Sequence, residues 1–144
     1  MTDWLLLSYS IPSRPSANRV YIWRKLKRLG ALLIDESVWA LPANARTAEQ
    51  FQWLAAEIHE KDGQAHLWRA AALLPEQGQR LKTHFIAHIE EGYQAILDAL
   101  EDEHVDLAEQ SRRYQQLAHN DYFHAPLGAA LRDRLIALRE RDAS

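Results

Sequence analysis

An α+β fold is predicted for this chain of 144 residues. Three observations predict it. Up to Pro75, short apolar runs alternate with segments of helical periodicity, in the order strand, helix, strand, strand, helix, strand. The two middle strands are joined by a connection too short for a helix, so they read as a hairpin. From Pro75 onward, apolar residues recur only at helical spacing. The first part is therefore a βαββαβ, ferredoxin-like domain, a four-stranded antiparallel sheet with two helices on one face. The second is a C-terminal helical extension. The expected division is residues 1–75 for the domain and 76–144 for the extension, which packs on the domain or on a partner subunit.

Each element has its own signal. Trp4–Tyr9 is a nearly continuous apolar run bounded by Ser10, Pro12 and Pro15, as expected of a strand covered on both faces. After the loop IPSRPS, Ser16 is the predicted N-cap of a helix through Leu29, which Gly30 ends. Ile22, Leu26 and Leu29 form its apolar stripe, with Trp23 at the edge and Arg24, Lys27 and Arg28 opposite. Ala31–Ile34 is a strand, Asp35-Glu36-Ser37 a turn and Val38–Leu41 the returning strand, stopped by Pro42. Thr47 is the predicted cap of a second helix to Lys61, with Phe51, Leu54, Ala55 and Ile58 inward. Asp62-Gly63 breaks it, and Gln64–Leu74 is the fourth strand. In the extension, Leu81, Phe85, Ile89, Tyr93, Ile96 and Leu100 mark one helix, and the acidic EDEHVD stretch interrupts it. Leu107, Tyr114 and Leu117 mark a helix from Asp106 to His119. Leu127, Leu131, Leu135 and Leu138 mark a last one to Arg141.

Composition bounds the function. Apolar residues at 47% support a packed core, and charged residues at 26% are typical of a globular protein in water. The chain has no cysteine, which excludes disulfides, thiolate metal sites and cysteine nucleophiles. The opening MTDWLLLSYSIP lacks a signal-peptide pattern, and no apolar run approaches the ~20 residues of a membrane span. A cytoplasmic protein with no membrane partner is expected. No glycine-rich phosphate loop, GxSxG or HExxH motif is present, and no cofactor is predicted.

Charge placement is the strongest functional signal. The net charge is −3, yet Trp4–Ile34 holds six basic residues and no acidic one. Arg14 and Arg19 flank the start of the first helix, where unpaired N–H groups and the helix dipole favour anions. Two guanidiniums there suit a tetrahedral oxyanion or a phosphate; pairing of Arg19 with a carboxylate from the C-terminal half is the alternative. Arg24, Lys25, Lys27 and Arg28 form a cationic face that suits DNA phosphate. A solvated face balanced by acidic residues of another segment is the plainer reading. His84, His88 and Glu91, at i, i+4 and i+7, have the spacing of weak metal-ligand candidates or of polar edge residues. His119, Asp121 and His124 have acid–base chemistry, but Tyr122 and Phe123 among them favour a turn docked into a core.

The run WLLLSYSIPSRPSANRVYIWRKLKRLGALLIDESVWALP resembles the N-terminal domain of the chromate-resistance regulator family, ChrB. Trp4, Pro12, Arg19, Trp23, Arg24, Leu26, Lys27, Gly30, Ala31, Leu41 and Pro42 carry the resemblance, and Leu131–Asp142 resembles the end of that domain. A more distant similarity is to the central ferredoxin-like domain of the phenylacetate-catabolism repressor family, PaaX. The resemblance implies a homodimeric, chromate-responsive transcriptional regulator, or part of one. Its basic residues would contact DNA, with chromate or a similar oxyanion as effector. Full-length family members continue into a second domain. A pI of about 6.1 tells against DNA as the sole partner. A direct chromate-handling enzyme or accessory protein, and a structural dimerisation module, are the alternatives. With no cysteine and no cofactor motif in the sequence, a role other than enzyme is favoured.

Overall fold

The computed structural model describes residues 2–143. The chain forms two compact units, divided between Gly78 and Gln79. The elements are β1 (Asp3–Ser10), α1 (Ser16–Arg28), β2 (Leu32–Asp35), β3 (Val38–Pro42), α2 (Ala45–Glu60), β4 (Gln64–Ala71), α3 (Pro75–Ala99), α4 (Leu107–His119) and α5 (Pro126–Ala143).

In the first unit the strands form one antiparallel sheet in the order β2-β3-β1-β4. With the element order βαββαβ, this is the ferredoxin-like fold. Register sorts the side chains onto two faces. Leu5 lies opposite Leu41 and Arg69, and Leu7 opposite Trp39 and Leu67, so these share one face. That face lies under α1, because the Lys27 ammonium stands 6.0 Å from the Trp39 ring centroid. Leu7 and Leu41 are fully buried there, with Ile22 and Leu26 of α1 and Phe51, Leu54 and Ile58 of α2. Trp4, Leu6 and Ser8 alternate onto the opposite face with Trp68 and His66.

Several element ends differ from the sequence reading, each for a local reason. Pro15, not Ser16, is the N-cap of α1; it is extended, and no side chain caps the helix. Its ring presets φ and lets Ser16 enter as the first helical residue. Thr47 is not the cap of α2 but its N3 residue. Asn44 is the cap: its side chain accepts from the Thr47 N–H (2.8 Å), and the Thr47 hydroxyl accepts from the Asn44 N–H (3.0 Å). The Thr47 hydroxyl also donates to the Pro42 carbonyl at 2.6 Å, which ties α2 to the end of β3. β2 starts at Leu32, because the Ala31 N–H is taken by the Leu26 carbonyl. β4 stops at Ala71 rather than Leu74, and Leu73 is 93% exposed. Gly30, at φ 77°, ends α1 as predicted.

The second unit is helical, as expected. Ile89, Tyr93, Ile96, Leu100, Ala125, Leu131 and Leu135 form its core. Asp106 caps α4 by accepting from the Glu109 N–H at 3.1 Å. The Tyr93 hydroxyl donates to Asp121 at 2.9 Å, and Asp121 also accepts from the Ala125 N–H at 3.0 Å. Burial, then the Asp121 carboxylate, pushes the Tyr93 hydroxyl well above its ordinary pKa. Gly128 is required beside this pair: a Cβ there would come within 2.8 Å of the Tyr93 ring.

Candidate functional site

α1 presents a strip in which cations and aromatic rings alternate. Arg19, Val20, Tyr21, Trp23, Arg24, Lys27 and Arg28 are all exposed along it, Trp23 at 50%. The helix places them there because Ile22 and Leu26, one turn apart, take the inward stripe and leave the rest to solvent. α1 has no acidic residue in its first turn, while Lys25, Lys27 and Arg28 lie in its last.

The cations are held in different ways. Lys25 pairs with Glu57 of α2 at 3.2 Å. Hydrogen bonds to Tyr21 and then Glu57 raise its pKa. Burial pushes Glu57 up, but hydrogen bonds from Tyr21 and Lys25, with the charges of Lys25 and Lys61, outweigh that and leave it lowered. Tyr21 lies under two ammonium groups, those of Lys61 at 4.6 Å and Lys25 at 5.2 Å from its centroid. Lys27 stands 5.4 Å from the Trp23 ring centroid. Cation–π contacts orient a lysine without cancelling its charge. Arg24 makes no ion pair with a described residue.

Two open pockets flank Val20. One, of about 560 Å³, is lined by Arg19, Val20 and Trp23 of α1, Tyr9, Ser10 and Ile11 from the end of β1, Glu36 and Ser37 of the hairpin turn, and Trp39 of β3. Burial raises the Tyr9 pKa, and the nearby Arg19 guanidinium opposes that rise. The other, of about 460 Å³, is lined by Ala17, Val20, Tyr21, Arg24, Lys25 and Arg28. The first offers a guanidinium, three hydroxyls and two indole walls around one carboxylate. The second is a shallow cationic groove beside a phenol.

The predicted site residues thus fall into groups. Arg24, Lys25 and Arg28 share one groove, and Arg19 lines the other pocket. Lys27 is on the strip at Trp23. Arg14 is exposed in the loop before α1 and does not line the Arg19 pocket. His84, His88 and Glu91 are exposed on α3, and no metal-holding group of three or more His, Cys, Asp or Glu residues occurs among the described residues. Asp121 is engaged in the Tyr93 bond, and Tyr122 and Phe123 pack edge-on to Phe85, as the turn reading expects. Tyr9, Trp39, Glu36 and Ser37 went unnoticed in the sequence. They reach the pocket only through the β1–β3 pairing, which sets Ser8 opposite Val38.

Fold and site together define a ferredoxin-like domain whose first helix is a cationic, aromatic-studded surface. Residues 19–99 match the family model described as Protein ChrB, N-terminal. The chain belongs to this family. It is 32% identical over 76 residues to Protein ChrB of Cupriavidus metallidurans; the match covers 53% of this chain and 24% of that relative's length. No solved structure matches the chain significantly. No helix among the described residues is long and apolar enough to cross a membrane.

Proposed function

We propose that this chain is the regulatory part of a chromate-responsive transcriptional regulator. Its α1 strip binds DNA phosphate, and an oxyanion at Arg19 competes with that binding. The observation that carries this reading is that α1 has no acidic residue of its own and that Arg24, Lys27 and Arg28 are all exposed along it. Guanidinium and ammonium groups so placed contact phosphate without reading sequence. The Arg19 pocket supports the effector half. Its donors are Arg19 and the Tyr9, Ser10 and Ser37 hydroxyls. Glu36 repels an anion at the hairpin end, so the favourable position is beside Arg19 and Tyr9.

The test is salt-titrated binding to the DNA upstream of the chain's own coding sequence. Affinity falls steeply with salt in the wild type. Arg24→Ala and Lys27→Ala each weaken binding for all sequences and reduce the slope of log K against log salt by about 1. Affinity indifferent to salt, or to both substitutions, contradicts the reading.

A further inference from the structure

We infer that a second copy of this chain pairs antiparallel along the free edge of β4, joining two four-stranded sheets into one across a two-fold axis. This does not depend on the proposed function, since it rests on a different surface.

β4 is an end strand of the sheet. Its inner side pairs with β1 in unbroken register, from Asp3 opposite Ala71 to Ser10 opposite Gln64. Its outer side has no strand partner in the sheet, so alternate backbone N–H and C=O groups point outward. Natural proteins blunt such edges with bulges, prolines, charges or short strands. The opposite edge of this sheet is blunted: β2 has four residues, a register shift between Leu33 and Asp35, and an acidic turn after it. β4 has none of these devices except a single charge. It runs for eight residues without a bulge, a proline or an acidic residue. Its single formal charge, Arg69, is neutralised by Asp3 of β1, with Nε 3.2 Å from Oδ2. Beside it, Leu67 and Trp68 are 37% and 61% exposed.

The sequence of β4 is complementary to itself. A two-fold axis perpendicular to the sheet keeps each face on its own side, so a residue meets one of the same parity. With the axis at Trp68, the two indoles meet on the face opposite α1. His66 then lies opposite the partner's Ala70, and Leu67 opposite the partner's Arg69. No like charges are opposed, and the pair at the centre is aromatic, a stabilising cross-strand contact.

The test combines sedimentation velocity and amide hydrogen exchange on the full chain, from nanomolar to high micromolar concentration. The wild type forms a dimer, and β4 amides become more protected as it forms. Trp68→Lys and Leu67→Lys, both at exposed positions and checked for native circular dichroism, each raise the dimer Kd at least about tenfold. Trp53→Lys, at a 64% exposed tryptophan of α2, leaves it unchanged. A chain that stays monomeric throughout overturns the inference. So does a dimer that survives both β4 substitutions, or one whose β4 amides exchange equally fast in monomer and dimer.

Discussion

Three side chains carry more of the structure than their neighbours. Thr47 is fully buried, closes the α2 capping box and donates to the Pro42 carbonyl. Thr47→Ala removes the cap partner and leaves that carbonyl unpaired, a loss of about 2 kcal/mol measured by urea unfolding. Tyr93→Phe removes one hydrogen bond to a carboxylate that keeps its backbone donor, so a smaller loss of about 1–2 kcal/mol is expected. Glu57 acts through charge. Its folded pKa lies below the unfolded value, so its contribution is present above the unfolded carboxylate pKa and fades as pH falls through the folded one. Lys25, whose pKa is raised, contributes below its unfolded pKa and loses that only in strong alkali. With both side chains partly exposed, Glu57→Gln costs at most about 1 kcal/mol at neutral pH. The difference from wild type disappears in acid unfolding experiments below the usual carboxylate range.

At the scale of the element, the strands and helices were legible because their periods differ. The short apolar runs of β1 and β3 and the three-to-four-residue stripes of α1, α2 and α3 read directly from the chain. Ends were less legible, because caps depend on backbone geometry. Pro15 supplies an entry that a serine rule assigns to Ser16, and Asn44 competes with Thr47 for the same helix start. The cations of α1 were visible as an acid-free stretch. The pocket beside them was not, because Tyr9, Glu36 and Trp39 are distant in sequence and meet through strand register. One prediction belongs to this scale. Gly128→Ala forces a methyl against the Tyr93 ring, so α5 must shift from α3, destabilising the helical unit by about 1–3 kcal/mol. Hydrogen exchange should locate the loss in α3 and α5, with β1 and β3 unaffected.

For the whole molecule, the central feature is an uneven charge distribution. A chain of net charge −3 gathers cations on one exposed helix, where no carboxylate belongs to the helix itself. The chain belongs to the ChrB N-terminal family, and two open pockets lined by Arg19 and by Arg24, Lys25 and Arg28 lie along that helix, where the proposed function puts the oxyanion and the phosphate. The two halves of the account meet in one measurement: fluorescence anisotropy of labelled upstream DNA, with chromate or sulfate added at constant ionic strength, on the wild type and on Arg19→Ala. Chromate is expected to release DNA from the wild type at concentrations where sulfate does not, and to lose that effect in the variant. Release that is equal for both anions, or equal in both proteins, would contradict the account.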